Sequence, residues 1–406
     1  MSQLTKNDCR HNLTRKPLHV GLVTPAYSPR AGGIATYVRD LAESLCSVGQ
    51  RVTVIQPTVT QYSDGPAVDV RDRFRLVRVT ARGGGTAALT AYRAVRRISA
   101  TDPFDVIEFA NWGGLGSIHA FRKIAPQVMR VSTGIRQVVP HAPTLIAGRR
   151  MQLTTSWRIK VEAFAVRHSD AIIAPTRAQR DEIDSMYGMD PRSIRVIPFG
   201  IRIPDFVRQP RSGEPTCRFL FVGRPTIRKG FPDLIAALRL LSELTRVPFE
   251  CVLVGAYPDK ADNSALEQLS RAVNGRVVHR GPLSDLERDQ CYREADVLLM
   301  PSRHESFGLV GVEGMAHGLP VISCRTGGIA EVIVDGVTGY LCDVANPPSL
   351  ARAMAHLLER PDLRQLMGLA ARARAQELFS REQMAAASLE VYRELAHRLS
   401  GAPHRQ

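Results

Sequence analysis

The chain has 406 residues, of which 44% are hydrophobic and 23% charged. This length suits about two domains of roughly 100–200 residues each, and the composition excludes wholesale disorder. A formal net charge of +15 could attract nucleic acid, an anionic membrane or phosphorylated ligands. Because the arginines are spread along the chain and only 6% of residues are aromatic, we expect no nucleic acid partner and keep a peripheral membrane contact as an alternative.

The N-terminal stretch, residues 1–17, is polar and is predicted to be a flexible tail. It carries no hydrophobic stretch of signal-peptide length, and no apolar run in the sequence approaches the ~20 residues that span a bilayer. The seven cysteines are scattered singly without a CxxC pair, which is typical of small buried side chains in a reducing compartment. We therefore expect a cytoplasmic protein, with a peripheral position on the inner membrane face as the alternative.

Short apolar runs alternate with amphipathic stretches almost from end to end, which is the pattern of parallel sheets covered by helices on both faces. In the first half a helix is predicted from Ile34 to Val48, where apolar residues recur at helical spacing until Gly49. The strands predicted in this half are Leu18–Val23, Val52–Gln56, Phe74–Val79, Asp105–Phe109, Gln127–Val131, Ala171–Ala174 and Ile194–Ile197.

The second half repeats this alternation. Its predicted strands are Arg218–Val222, Glu250–Val254, Arg276–His279, Val297–Met300, Pro320–Ser323 and Tyr340–Cys342. The helices predicted between them are Phe231–Leu244, Ser264–Val273, Ser284–Glu294 and Leu309–His317.

Residues 204–216 are rich in proline, lack periodicity and are predicted to link a first domain (18–203) to a second (217–380). The tail from Pro348 to Arg398 is nearly all helical and exceeds what the second sheet needs. Residues 381–406 are therefore predicted to pack back on the first domain. The predicted fold is α/β, with two Rossmann-like doubly wound parallel-sheet domains facing across a cleft at the carboxyl ends of their strands.

The stretch from Pro301 to Ala316 reads as a strand end, a polar loop and a helix that begins near Gly308. Free N–H groups and the dipole at such a helix start suit a phosphate. Glu305 lies in the loop, and Glu313 lies roughly 7 Å along the helix at about 1.5 Å per residue. With a diphosphate on the amides of Gly308 and Leu309, Glu305 could accept from sugar hydroxyls and Glu313 from ribose hydroxyls. Two residues between them, Ser306 and Phe307, belong to the same predicted site. A capping glutamate and a solvated helix residue are the alternative.

A basic loop follows the first strand of the second domain, from Gly223 to Gly230. Fixed cations there, Arg224 and Lys229, could neutralise a diphosphate leaving group in place of a divalent metal. Arg228 could be a third contact, but we expect it on the solvent side. A solvated basic turn is the alternative reading.

Two glycine turns follow other strands. Gly32-Gly33 lies between the first strand and its helix, where backbone N–H groups could approach a phosphate or sugar. The turn from Arg325 to Glu331 is expected to border the nucleotide side of the cleft. No HExxH, paired Cys/His cluster or GxSxG pattern occurs, so we expect neither a metal nor a bound cofactor.

Together these motifs resemble the retaining glycosyltransferases of the two-Rossmann GT-B architecture, of the type grouped as family 4. The resemblance extends from about Leu18 to Arg398, and the spacing of Gly-Arg-x4-Lys-Gly with Glu-x7-Glu is its most specific part. Other stretches that carry it are Gly32-Gly33-Ile34, Ile107-Glu108-Phe109, Trp112-Gly113-Gly114, Ala174-Pro175-Thr176, Val196 to Gly200, Gly327-Gly328 with Glu331, and Asp335 to Gly339.

The resemblance implies a role for each matching residue. Arg224 and Lys229 would bind the diphosphate of a nucleotide-sugar donor, Glu313 the ribose and Glu305 the transferred sugar. Amides of Gly308 and Leu309 would contact the donor, and Gly33 would border the phosphates from the first domain. It also implies metal-free transfer of a hexose-type sugar, UDP-linked by family frequency, to a hydroxyl acceptor in glycan, glycolipid or secondary-metabolite synthesis. A catalytically silent nucleotide-sugar-binding regulatory protein is the alternative.

The chain departs from the family pattern where many relatives carry a histidine after the fifth strand of the first domain. Ser132 or Thr133 falls near that position, and His141 follows in a loop flanked by prolines. Which of the three replaces the histidine is open. The basic helix predicted at Met151–Arg167 could lie on an anionic membrane or be a core helix with a basic outer face.

Overall fold

A computed structural model describes residues 16–28, 32–59, 68–81, 86–141, 149–205, 216–256, 273 and 275–400. It contains an eight-stranded sheet and a six-stranded sheet, each covered by helices. The strands of the first sheet are β1 (His19–Val23), β2 (Arg51–Val59), β3 (Val68–Arg71), β4 (Phe74–Ala81), β5 (Val106–Ala110), β6 (Gln127–Arg130), β7 (Ala171–Ala174) and β8 (Ile194–Val196). Their order is β3-β4-β2-β1-β5-β6-β7-β8.

The second sheet has the order β11-β10-β9-β12-β13-β14. Its strands are β9 (Cys217–Val222), β10 (Phe249–Val254), β11 (Gly275–His279), β12 (Val297–Met300), β13 (Val321–Cys324) and β14 (Gly339–Cys342), and they pair in parallel. This is the doubly wound order, in which the chain reverses direction across the sheet between β9 and β12. The predicted two-domain α/β fold is confirmed.

The helices lie between the strands, as the alternating pattern predicts. Those before β9 are α1 (Gly33–Ser47), α2 (Ala87–Ser99), α3 (Ser117–Phe121), α4 (Ile135–Val138), α5 (Arg149–Arg167) and α6 (Arg177–Tyr187). Those after β9 are α7 (Phe231–Leu244), α8 (Asp285–Glu294), α9 (Leu309–Ala316), α10 (Ile329–Val332), α11 (Pro347–Glu359), α12 (Pro361–Leu378) and α13 (Arg381–Ser400). Within the described ranges, none has the length and apolarity that a bilayer-spanning helix needs.

The predicted strands agree with the structure to within about three residues at each end, with one omission. Strand β3 is short, largely exposed and pairs antiparallel with β4 at the edge of the first sheet. Its sequence, Val-Asp-Val-Arg, has too few apolar residues to be recognised as a strand. All but the last residue of the helix predicted at Ser264–Val273, and most of the linker predicted at 204–216, lie outside the described residues.

The chain crosses back from the second sheet to the first at its end. Ile201 pairs with Ser380 just before α13, and the amide of Arg381 donates to the carbonyl of Ile201 at 2.9 Å. Helix α13 then packs against α1 of the first domain. Phe199 joins the two halves, because its ring stacks on Tyr37 at 4.6 Å and meets Phe307 edge-on at 5.4 Å. Helix α13 therefore covers the first sheet, and Phe199 packs between the two domains.

A buried ionic cluster fixes α13 on the first sheet. Arg130, fully buried at the end of β6, donates to both carboxylate oxygens of Glu108 on β5, at 2.8 and 3.0 Å. From α13, the Tyr392 hydroxyl donates to Glu108 at 2.6 Å, and Ser388 accepts from Arg130 at 2.7 Å. Burial alone would lower the pKa of Arg130, but the Glu108 carboxylate raises it above its ordinary value, so Arg130 keeps its charge in the interior.

We predict that Arg130→Ala lowers the free energy of unfolding of the first domain by about 3–5 kcal/mol, because Glu108 is left as an uncompensated buried charge. Urea denaturation followed by tryptophan fluorescence measures the change. The matched control is Arg195→Ala, which breaks an exposed pair with Glu394 that also joins the first sheet to α13, at 2.9 Å. That control should change stability by less than about 1 kcal/mol. Equal effects of the two substitutions would contradict the prediction.

Candidate active site

The site lies where the order of the second sheet reverses. The loop after β9 (223–230) and the loop after β12 (301–308) leave neighbouring strands at their carboxyl ends, which is where ligands of doubly wound sheets bind. The two loops are joined directly, because the amide of Arg303 donates to the carbonyl of Arg228 at 2.8 Å. The side chain of Arg303 also forms a bidentate pair with Asp233 on α7, at 2.7 and 2.8 Å.

The centre of this junction is an ionic contact between the two loops. The ammonium of Lys229 donates to Oε2 of Glu305 at 2.6 Å, and Nη1 of Arg228 lies 3.7 Å from the same oxygen. Burial raises the pKa of Glu305, but the two cations lower it more, so its net pKa lies below the ordinary value. Glu305 is thus an ionised carboxylate held against two positive charges. The expectation that Arg228 faces solvent is wrong, because it is half-buried and also donates to the carbonyl of His304 at 3.2 Å.

Arg224 stands at the rim of this ionic contact and is exposed. It follows Gly223, whose amide donates to the carbonyl of Val254 at 2.9 Å and so continues the sheet by one residue. Next to this turn, a side chain at Gly255 would collide with the carbonyl of Gly223. The tight backbone leaves Arg224 free to extend from the end of the strand.

Helix α9 begins beside the ionic contact. Gly308 has a φ of 96°, in the left-handed region that favours glycine, and a Cβ there would meet Ile329 at 2.5 Å. The first helical residue, Leu309, lies against Gly33 of the first domain, where a Cβ would sit 3.3 Å from the leucine side chain. The predicted glycine turn of the first domain and the predicted helix start of the second therefore face each other across the cleft.

Glu313 lies further along α9 and is half-buried. One of its oxygens accepts from the Tyr292 hydroxyl at 2.6 Å. The Tyr292 ring in turn stacks on His317, with centroids 4.9 Å apart. Burial would lower the pKa of Arg288 nearby, but the charges of Glu313 and neighbouring groups raise it. Glu313 thus has a fixed orientation set by a tyrosine that no spacing in the sequence indicates.

The first domain contributes a polar loop at the position of the family's histidine. The Thr133 hydroxyl lies 2.9 Å from the Ser306 hydroxyl across the cleft. Ser132 instead turns inward, where its amide and hydroxyl both donate to Asn111 at 3.0 Å. Of the three alternatives, only Thr133 is seen to reach the second domain, and the side chain of His141 lies outside the described part of the structure.

A buried carboxylate supports that loop from below. Glu162 of α5 accepts from the side-chain amide of Asn111 at 3.3 Å, and burial raises the pKa of Glu162 to about 7. Neither residue could be found from the sequence, because they are 51 positions apart and belong to no motif. In the part of the chain that the structure describes, no group of three or more His, Cys, Asp or Glu side chains is placed to hold a metal ion.

The turn from Arg325 to Glu331 contacts the first domain. The Glu331 carboxylate accepts from the amides of Arg177 and Ala178, at 2.9 and 2.7 Å, at the start of α6. The turn therefore contacts the first domain, and its position beside a nucleotide stays a prediction.

Two family models cover most of the chain. The model described as "Glycosyltransferase Family 4" matches residues 31–203, and the model described as "Glycosyl transferases group 1" matches residues 203–374. A D-inositol 3-phosphate glycosyltransferase from Xylanimonas cellulosilytica is 31% identical over 398 residues, which is 91% of this chain and 93% of that protein. A glycogen synthase from Mycobacterium tuberculosis is 33% identical over 240 residues, covering 57% of this chain and 56% of that protein.

Solved structures share the fold. The sucrose-phosphate synthase of Thermosynechococcus elongatus has a TM-score of 0.78 at 23% identity, covering 94% of this chain and all of that chain. The HepE protein of Anabaena, solved in complex with UDP-glucose, has a TM-score of 0.71 at 20% identity, covering 93% of this chain and all of that chain. With its two sheets, its loops at the switch point and these matches over nearly its whole length, the chain belongs to the family 4 type of GT-B glycosyltransferases.

Proposed function

We propose that the protein is a retaining, metal-independent glycosyltransferase that moves a hexose-type sugar from a nucleotide diphosphate sugar to a hydroxyl acceptor. The observation that carries the proposal is the cluster of cations at the switch point, where Lys229 and Arg228 meet the ionised Glu305 and Arg224 stands at the rim. Fixed positive charges at a helix start suit a diphosphate that becomes a leaving group.

In this proposal the donor lies along the second domain. Its diphosphate accepts hydrogen bonds from Arg224, Lys229 and the amides of Gly308 and Leu309, and its ribose hydroxyls donate to Glu313. Lys229 is already oriented by Glu305, so little side-chain ordering is needed when the donor binds. UDP is the favoured nucleotide, supported by the neighbouring fold that was solved with UDP-glucose.

The chemical step needs no protein nucleophile. The bond between the anomeric carbon and the phosphate oxygen breaks, and the bond to the acceptor oxygen forms on the same face. The acceptor proton passes to the leaving phosphate. Cations beside the phosphate stabilise its growing negative charge, and the Glu305 carboxylate stabilises the positive charge that develops on the sugar.

The acceptor side belongs to the first domain and is the less defined half. Hydroxyl acceptors in glycan, glycolipid or secondary-metabolite synthesis all fit a polar loop such as Ser132–Gly134. Several relatives carry the name D-inositol 3-phosphate glycosyltransferase, which makes phosphorylated cyclic polyols the first acceptors to screen.

We expect Arg224→Ala and Lys229→Ala each to lower kcat by about 10²–10³-fold, because each removes one donor to the leaving phosphate. Steady-state transfer from a UDP-sugar measures the loss, once an acceptor has been found in the screen. Arg239→Ala, at an exposed position on α7, is the matched control and should leave kcat unchanged. Near-normal turnover in either site variant would refute the assignment of these residues. In the same reaction, proton NMR should show that the transferred sugar has the same anomeric configuration in the product as in the donor, as retention requires.

Nucleotide binding should be independent of divalent metal. A thermal-shift panel of UDP, GDP, ADP and dTDP with EDTA should show one preferred nucleotide, UDP, which raises the melting temperature by several degrees. A ligand at 100 times its Kd stabilises by about 2.7 kcal/mol. Glu313→Ala should reduce the shift. Binding of UDP without any transfer to the acceptor panel would favour the catalytically silent alternative, and no shift with any nucleotide would count against the proposal.

We also propose a peripheral membrane contact through the first turns of α5. Leu153 and Trp157 lie one helical turn apart and expose 72% and 56% of their surface, with Lys160 exposed beyond them. Glu162 lies roughly 140–180° around the helix from this pair. It is buried and accepts from Asn111 at 3.3 Å, so the apolar pair points away from the core of the first domain. Apolar side chains flanked by basic ones suit an anionic lipid surface.

Co-sedimentation with vesicles tests this contact. Wild-type protein should pellet with vesicles that contain anionic lipid, less so at high salt, and the Leu153→Ala/Trp157→Ala double variant should bind at least about tenfold more weakly, since each side chain contributes about 1.5–3 kcal/mol when buried. Phe121→Ala removes another side chain that is 73% exposed and serves as the control. Equal binding by all three proteins would remove the membrane contact from the proposal.

A further inference from the structure

The start of helix α6 is capped by residues from both domains. Its own Thr176 accepts from the amide of Gln179 at 3.1 Å, which satisfies one of the free N–H groups of the first turn. The amides of the two preceding residues, Arg177 and Ala178, donate to the two carboxylate oxygens of Glu331 at 2.9 and 2.7 Å. Glu331 belongs to α10 of the second domain, so a carboxylate of one domain completes the helix cap of the other. We call this contact the Glu331 latch.

The Glu331 latch is strong for a contact so near the surface. An ionised carboxylate that accepts two backbone N–H groups forms charge-assisted hydrogen bonds, and the dipole of α6 adds to their strength. Arg177 is exposed and Glu331 is half-buried, so water can replace the contact when the domains separate. These properties suit a contact that opens and closes rather than a permanent part of a core.

On the side of the second domain, Glu331 is rigidly joined to the loop that carries Glu305. The amide of Gly328 donates to the carbonyl of Glu305 at 3.0 Å, and a side chain at Gly328 would collide with the carbonyl of Ser306. Helix α10 is also held from α12, because Arg374 donates to the carbonyl of Glu331 at 2.8 Å. The latch residue and the donor loop therefore move together.

The same loop makes two further contacts with the first domain. The Thr176 hydroxyl donates to the carbonyl of Ser306 at 3.1 Å, and the Ser306 hydroxyl lies 2.9 Å from that of Thr133. Both of these contacts involve Ser306, the residue next to Glu305. The distance between the donor loop and the acceptor side is thus set by the start of α6, with Glu331 supplying the charged contact.

We propose that Glu331 is a positioning residue that holds the cleft closed and places the Ser306–Glu305 loop against the acceptor side of the first domain. This inference rests on the proposed transferase function. It assigns to Glu331 no contact with the donor. Loss of the latch should affect the step that needs both domains, while the affinity for the nucleotide alone, which we place on the second domain, should change little.

The test compares Glu331→Ala with wild type in the full chain by three measurements: the radius of gyration from small-angle X-ray scattering, the Kd of UDP, and kcat with KM for both substrates. We expect a larger radius of gyration, kcat lower by about tenfold or more, and a Kd of UDP within about twofold of wild type. Glu331→Gln keeps one oxygen acceptor and should give intermediate values.

The matched control is Glu394→Ala, which removes an exposed carboxylate that pairs with Arg195 between α13 and the first sheet. It should leave the radius of gyration and kcat unchanged. The inference is overturned if Glu331→Ala leaves both quantities unchanged, or if its loss of kcat is matched by an equal loss of UDP affinity and a lower melting temperature. If wild-type protein neither binds a nucleotide nor turns over, the transferase proposal fails, and the radius of gyration alone still decides whether Glu331 closes the cleft.

Discussion

The ion pair between Glu108 and Arg130 is the interaction on which the arrangement of the two domains depends. It lies inside the first sheet, yet two of its hydrogen-bond partners, Tyr392 and Ser388, come from the last helix. The buried charges require these partners, because an unsatisfied ionised group in the interior costs several kcal/mol. The end of the chain is thereby bound to the first domain, and the second domain is held between two crossings.

The two sides of the cleft differ in chemical character. The second domain supplies the charged groups, with Lys229, Arg228 and Glu305 in contact and Arg224 at the rim. The first domain supplies a glycine turn and the hydroxyls of Thr133 and Thr176. One side is therefore suited to hold a charged donor, and the other to complete a neutral wall around the transferred group. In the proposed function, such a division would let the donor bind first and let closure follow as a separate step.

The fold was largely predictable because buried parallel strands are apolar throughout, and such runs are visible in a single sequence. Strand β3 was not predicted, because it is an exposed edge strand that buries little apolar surface. Within the site, spacing identified Arg224, Lys229, Glu305 and Glu313, since each lies in a loop after a strand or in the helix that follows that loop. Spacing could not reveal Asn111 and Glu162, which act through burial, nor the partner of Glu331, because contacts between domains leave no periodic signal. Arg228 was misplaced because a basic residue in a turn is ordinarily solvated.

The return of the last helix also has a consequence for how the protein is made. The first domain emerges from the ribosome early, but α13 is synthesised last. This helix covers α1 and completes the Glu108–Arg130 cluster. The contacts between Glu108 and Tyr392 span 284 residues, so the first domain cannot close its core until nearly the whole chain has emerged. Long-range contacts of this kind slow folding and leave apolar surface exposed for longer. The nascent first domain should therefore be a preferred client of chaperones. The second domain, whose core is complete once α11 and the first part of α12 have been made, can fold while α13 is still being synthesised.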